Sequence, residues 1–287
     1  MKKFLVILIS LLFLGAAIFA VLGTLFTDKL LSEKLDEVKV ISEEKRDKNI
    51  LNETKETKLH HLYRKNNMPR SALFPNFVRI KSEGTFRTNS EGDWKNFNEE
   101  SYYSLNDPAF LSNSKLETGR FFWIRDIDLF IKGEGTQLRK YLSSLNLREE
   151  TGPKIARLFL MRYLSDIVYF PSQLFNGDLI TWKTASKGKI AAEIKFNDLT
   201  VEGEFTYNDL GEIETFKSSV DESESEENRT YLFIEFSDYK SFDGYYIPLK
   251  SISSWITPHL EYEFKISKIQ KLDYDLPELF TEEEQKF

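Results

Sequence analysis

Two short stretches hold the residues best placed to do chemistry. In Arg125-Asp126-Ile127-Asp128, charges interrupt an aromatic run, with Phe121-Phe122-Trp123 before them and Leu129-Phe130 after. Strand alternation puts Asp126 and Asp128 on one face, about 7 Å apart, a spacing at which two carboxylates can divide acid and base work. The same residues serve equally as the polar side of a half-exposed strand, paired with Arg120 or Arg125. Arg162 and Asp166 stand four residues apart on an apolar helical stretch, close enough for an ion pair. Charge in such surroundings has to be paired. These residues support a hydrolase reading in which Asp126, Asp128 and Asp166 work beside Arg162.

Other chemistry is sparse. His60, His61 and His259 have no metal-ligand spacing, so no metal site is expected. Gly133-Glu134-Gly135 lacks a third glycine, a P-loop lysine and a βαβ context, and reads as a tight turn. There is no GxSxG elbow, and no cofactor is expected. The absence of cysteine rules out disulfides, thiolate catalysis and cysteine-based zinc sites.

The elements that must position these residues begin with an unbroken apolar run, Phe4 to Phe26, behind Lys2 and Lys3. It is long enough to span a bilayer core of about 30 Å. It is longer than a signal-peptide core, and its hydrophobicity continues past the candidate cuts after Ala17 and Ala20, which favours a retained single-pass anchor over secretion after cleavage. The basic start puts the N-terminus in the cytoplasm and the body outside the cytoplasmic membrane. Residues 27–65 form a charged stalk, read as a solvated helical spacer with Leu31, Leu35, Val38 and Ile41 at helical spacing. Met68-Pro69 ends it. The body is assigned to 66–276 and a frayed tail to 277–287. Residues 66–287 carry a net charge near −10, which argues against nucleic acid and against broad docking on anionic lipid headgroups.

Strands are expected over Phe77–Thr88, Trp94–Leu105, Arg120–Lys132, Ile180–Ala185, Ile190–Asn197, Thr200–Tyr207, Glu212–Ser218, Thr230–Ser237, Tyr245–Trp255 and Tyr262–Lys271. Turn chemistry joins them at Asn197-Asp198, Asn208-Asp209-Leu210-Gly211 and Asp243-Gly244, and acidic Asp221–Glu227 reads as a solvated loop. One buried helix starts at Pro153 and stops before Pro171. The fold class is therefore α+β: a mostly antiparallel, curved sheet, half-barrel or open barrel, with one main buried helix and an N-terminal transmembrane helix. Aromatic residues make up 14% of the chain and fall largely on the strands. Most must build core, yet a curved sheet closed by one helix can leave an apolar cavity. The residues expected to line a ligand site are Phe122, Trp123, Arg125, Asp126, Arg162, Asp166, Trp182 and Trp255.

The order of motifs resembles a bacterial family of secreted or membrane-anchored proteins described as a domain of unknown function. Trp94-Lys95-Asn96-Phe97 is similar to its W-x-x-F strand, and Arg125-Asp126-Ile127-Asp128 with Gly133-Glu134-Gly135 to its D-x-x-x-G-x-G segment. Arg162-Tyr163-Leu164-Ser165-Asp166, Pro171 and Trp182 are similar to its R-Y-L-x-E…P…W signature, with Asp166 standing where that motif has Glu. Asp238-Tyr239, Gly244, Ile247-Pro248 and Trp255 resemble its ending. The resemblance covers roughly residues 69–274 and implies no catalytic residues, since the family has no established activity. The later half also resembles lipoprotein-carrier-like half-barrels in layout. The functional expectation is a membrane-tethered, non-enzymatic binding module for a lipid or other hydrophobic small molecule. The alternatives are a structural or interaction module that meets an envelope protein, and the hydrolase.

Overall fold

The computed structural model describes residues 2–44, 57–67, 74–119, 121–186, 188–221, 225–242, 244–281 and 284. Met68-Pro69, Arg120, Asp243 and part of the acidic loop 221–227 lie outside them. Helix α1 runs from Lys2 to Glu43 and helix α2 from Lys58 to Asn66. Six strands follow: β1 Phe77–Phe86, β2 Lys95–Ser104, β3 Ala109–Gly119, β4 Phe122–Ile131, β5 Glu134–Tyr141 and β6 Leu145–Thr151. Helix α3, Pro153–Asp166, leads through two 3-10 turns, Ile167–Tyr169 and Pro171–Phe175, into seven more strands. These are β7 Ile180–Ser186, β8 Lys189–Phe196, β9 Leu199–Tyr207, β10 Ile213–Ser219, β11 Tyr231–Phe242, β12 Tyr245–Ile256 and β13 Glu261–Tyr274.

All thirteen strands join one antiparallel sheet in the order β6-β5-β4-β3-β2-β1-β13-β12-β11-β10-β9-β8-β7. Each neighbour is a sequence neighbour except at one seam, where β1 pairs with β13. The sheet curves without closing. Helix α3 links its two edge strands and fills much of the concave face. The sequence pattern missed β3, β5 and β6. Edge strand β6 is exposed along nearly its whole length, so it carries no burial alternation to read.

The core lies between the concave face and α3, where Phe110, Phe130, Phe159, Tyr163 and Phe170 pack with Ile194 and Phe205. The tight approach depends on Gly135 of β5. A Cβ there would sit 2.7 Å from the Ala156 backbone nitrogen on α3, so only glycine lets strand and helix meet. Lys132-Gly133 makes the β4–β5 turn, with positive φ at both residues. The glycine pair is thus a tight turn, as the sequence implied, and in addition a packing contact that only the fold reveals.

Two expectations for the flanking segments need correction. The stalk is helical to Glu43, but it is not a solvated spacer there. Leu31, Leu35, Val38 and Ile41 are buried, and the first three pack on the convex face against Phe77, Tyr102, Leu111 and Ile127. Helix α2 likewise belongs to the body. Leu59, His60 and Tyr63 are buried, and His60 Nε2 lies 2.8 Å from the Leu174 carbonyl. The tail is also held down where described. Phe280 is buried in the same convex cluster, and Arg79 Nη2 contacts Glu284 Oε1 at 2.9 Å. In each case the apolar side of a segment with a charged composition covers sheet surface that water would otherwise meet.

Candidate functional site

Strand β4 divides the predicted residues by parity. Asp126 and Asp128 face the concave side, whereas Arg125 and Ile127 face the convex side and α1. Helix α3 brings Arg162 and Asp166 down onto the concave face, because these two share a face at four-residue spacing. Strand β12 adds Trp255. These residues line one cavity of about 390 Å³ between α3 and the sheet. Its walls are apolar: Phe86, Phe97, Leu116, Leu158, Leu232, Ile234 and Phe264. A β-bulge helps to build the wall. Ser253 opposes Lys265 and Ser254 opposes Glu263, so Phe264 is an extra residue and lines the cavity together with Lys265. Trp255 and Phe264 stack with ring centroids 4.9 Å apart.

The floor is ionic. Arg162 is its hub, with Nη1 3.0 Å from Asp128 Oδ2, Nη2 3.1 Å from Glu99 Oε1 and Nε 3.5 Å from Asp166 Oδ2. Its Nη2 also donates to the Ser112 and Ser101 hydroxyls at 3.1 and 3.3 Å. Lys265 Nζ reaches both Glu99 oxygens at 3.1 and 3.2 Å, and Ser114 donates to the same carboxylate. Gln137 donates to Asp128 Oδ1 at 2.9 Å, and Tyr103 to Asp166 Oδ2 at 2.7 Å. Asp126 is held by Arg139 in a two-bonded fork of 2.7 and 2.6 Å. Behind Arg162 a polar space of about 60 Å³, lined by Ser82, Ser101, Ser251, Ser253 and Ser267, has room for water.

The electrostatics follow from burial and from this pairing. Burial pushes the Glu99 carboxyl up, but Lys265, Arg162 and the Ser114 hydroxyl outweigh it and hold its pKa at about 2. Asp128 and Asp166 go the other way. Burial raises both, and Arg162 offsets it only in part. The Arg162 guanidinium is itself raised, since Tyr103, Glu99, Asp166 and Asp128 together outweigh the cost of burying it. The floor is therefore a self-paired network whose open neighbours are apolar walls.

Of the eight residues predicted for a ligand site, Asp126, Arg162, Asp166 and Trp255 meet at this cavity. The other four stand elsewhere. Arg125 Nη1 pairs with Asp28 of α1 at 2.8 Å on the convex side. Trp123 donates from Nε1 to Ser143 Oγ at 3.0 Å and carries Lys115 over its ring. Phe122 lies exposed at the sheet's end, stacked on Tyr141. Trp182 donates to the Leu174 carbonyl at 3.0 Å and packs edge-on to His60 in the core. Glu99, Tyr103, Gln137, Arg139 and Lys265 were missed. Glu99 alternates with Phe97, Ser101 and Tyr103, all odd-numbered positions of β2, and that parity was the available signal.

The architecture is that of an open antiparallel half-barrel, plugged by one helix, with an apolar cavity over an ionic floor. The model of the family of unknown function DUF6920 matches residues 63–274, and the chain belongs to that family. No curated protein matches its sequence. Among solved structures, it is similar to a domain described as an outer membrane lipoprotein-sorting protein domain from Vibrio parahaemolyticus, at 11% identity and a TM-score of 0.39, covering 70% of this chain and 86% of that one. It is similar to a LolA superfamily protein from Nitrosomonas europaea at 10% identity and a TM-score of 0.37, covering 75% and 91%. A DUF1329 family protein from Desulfovibrio piger is similar at 10% identity and a TM-score of 0.37, covering 84% and 94%.

Proposed function

We propose that the chain is a membrane-tethered, extracytoplasmic binding module whose cavity takes one lipid-like hydrophobic molecule. Residues 4–26 act as the anchor, with the N-terminus in the cytoplasm and the body outside. In support, α1 is the one helix among the described residues long and apolar enough to cross a membrane, and none of its most apolar stretch is buried inside the protein. The observation that carries the binding reading is the cavity itself. At about 390 Å³ it falls in the size range of small-molecule sites, and its surface is mainly aromatic and aliphatic. Its charges already satisfy one another, so the surface left for a ligand is apolar.

Asp126, Asp128 and Asp166 do converge beside Arg162, as a hydrolase would need. Each, however, is already engaged by an arginine, and Asp128 and Asp166 also by Gln137 and Tyr103. That arrangement favours binding over acid–base turnover. The test is native mass spectrometry with lipid extraction on the full chain released from membranes in detergent. A bound lipid or fatty acid should accompany the wild type and be lost from Leu158→Trp, which fills the cavity from α3. A ligand-free wild type, or an adduct that survives the filling, sinks the proposal.

A further inference from the structure

One end of the sheet carries a cluster of large, exposed apolar side chains. Phe121 and Phe122 stand at the start of β4, and Leu145 and Leu147 lie on β6. Their exposures are 71, 50, 53 and 50%. Phe122 stacks on Tyr141, and Tyr141 pairs with Leu145 across the β5–β6 ladder, so the strands gather these residues at one corner. Contiguous exposed apolar surface of this kind marks an interaction site.

The same corner touches α1 inside its apolar run. Ser144, in the β5–β6 turn, donates from Oγ to the Phe19 carbonyl at 2.7 Å. Gly23 makes room for that turn, because a Cβ there would lie 1.7 Å from Ser144 Oγ. Thr27 donates to the Ser143 carbonyl at 2.9 Å, and Trp123 ties β4 to Ser143. From this corner α1 climbs the convex face to the opposite end of the sheet, where Asn106 donates to the carbonyls of Ser42 and Glu44. Phe19 lies about 10 Å before Phe26 along the helix axis. An apolar helix of this length overshoots a bilayer core of about 30 Å by only a few Å. A helix that spans therefore places the Ser144 turn several Å inside the hydrocarbon boundary. The side chains around the turn must then suit the boundary: Phe121, Phe122, Leu145 and Leu147 are exposed there, and the exposed Asn146 and Arg148 beside them can turn their polar ends to the headgroups.

We infer that this rim of the sheet is seated in the headgroup–acyl boundary of the membrane that α1 enters. Phe121, Phe122, Leu145 and Leu147 are immersed, and Trp94, Trp123 and Tyr141 sit at the interface, where amphipathic rings are favoured. The inference rests on the membrane-spanning reading of α1 and adds the posture of the body. It also orients the cavity. Phe86, Phe97 and Leu116 belong to the ends of β1, β2 and β3 at this rim, and Trp255 and Phe264 to the matching ends of β12 and β13. A hydrophobic ligand can then pass between bilayer and cavity without crossing bulk water.

The absence of native cysteine allows a direct test. The full chain is reconstituted in phosphatidylcholine vesicles containing brominated lipid, with one environment-sensitive fluorophore on Phe121→Cys, Leu145→Cys, Leu14→Cys or Asp107→Cys. The expected result is quenching at Leu14 in the apolar run and at the corner positions Phe121 and Leu145, with none at Asp107 on the opposite rim. Quenching at Leu14 without quenching at Phe121 and Leu145 overturns the seated rim and leaves the anchor standing. No quenching at Leu14 overturns the membrane-spanning reading, and the inference with it. Equal quenching at Asp107 also overturns the posture.

Discussion

Arg162 on α3 and Glu99 on β2 meet at 3.1 Å across the floor of the cavity, although 63 residues separate them in the chain. The contact ties the helix that fills the half-barrel to the middle of the sheet. Both side chains are mostly buried, so each charge depends chiefly on its protein partners.

Removing the hub is therefore expected to be costly. Arg162→Ala leaves Glu99, Asp128 and Asp166 short of a counter-charge in a buried site. A loss of about 3–5 kcal/mol is expected, the range for breaking a buried ion pair from one side. Denaturant unfolding of the full chain in detergent, followed by tryptophan fluorescence, measures it. A loss below about 1 kcal/mol, typical of exposed pairs, would mean that the network is far more solvated than its burial implies.

Acid should weaken the fold through Glu99. Its carboxyl is held at about 2 in the folded protein against an ordinary value of 4.5. A depressed pKa contributes stability above the unfolded value and loses it as the pH falls through the folded one. The stability gap between wild type and Glu99→Gln should thus be full above about pH 4.5 and shrink toward pH 2. Asp128 and Asp166, raised by burial, have the opposite sign: they favour the folded state at low pH and lose that contribution as the pH rises. Thermal melts of both proteins across this window decide it. A pH-independent gap would contradict the assignment.

Gly135 sets how closely β5 and α3 approach. Gly135→Ala puts a methyl within 2.9 Å of Ala156 and Ile155 backbone atoms, which no rotamer can relieve. Overpacking of this kind is expected to cost about 1–3 kcal/mol. Gly92→Ala, whose Cβ would meet no atom nearer than 3.1 Å, provides the control by the same unfolding measurement. Equal effects at the two sites would argue against the close packing.

The docked part of α1 separates a spacer from a structural element. Leu35 is 4% exposed. Leu35→Ala should cost about 2 kcal/mol or more if its burial contributes to the core. Val40→Ala, on the exposed side of the same helix, should change little. Limited proteolysis within residues 28–44 should accelerate for Leu35→Ala alone. Equal cutting of the two variants would return this segment to the role of a solvated spacer.

Much of the architecture was legible because it depends on local periodicity. The apolar run to Phe26, the turns at Asn197-Asp198 and Asn208–Gly211, and the Pro153 start of α3 each follow from residues within a turn or two of one another. Alternation also assigned Asp126 and Asp128 to one face. It had equal power over Trp123 and Arg125, which share the opposite parity. Naming them with Asp126 as one site ignored the rule that had separated them. The α-helix itself ends at Asp166, and a 3-10 turn carries the chain to Phe170. Helical spacing of apolar residues does not distinguish those two geometries.

The sequence by itself determined the apolar helix, the strand-rich body, the buried helix and the motifs that mark the family. These follow from side chains acting on their own stretch of backbone. Only the tertiary structure decided which charges meet, that residues 31–41 are part of the convex core, and that the cavity and the exposed Phe and Leu side chains share one rim. The meeting of charges depends on the seam between β1 and β13, which brings Lys265 to Glu99 across 166 residues, and the docking of residues 31–41 on the packing of α1 over β2, β3 and β4. Burial then rewards whatever apolar and ionic surfaces these long-range contacts place together, and no local pattern encodes that placement.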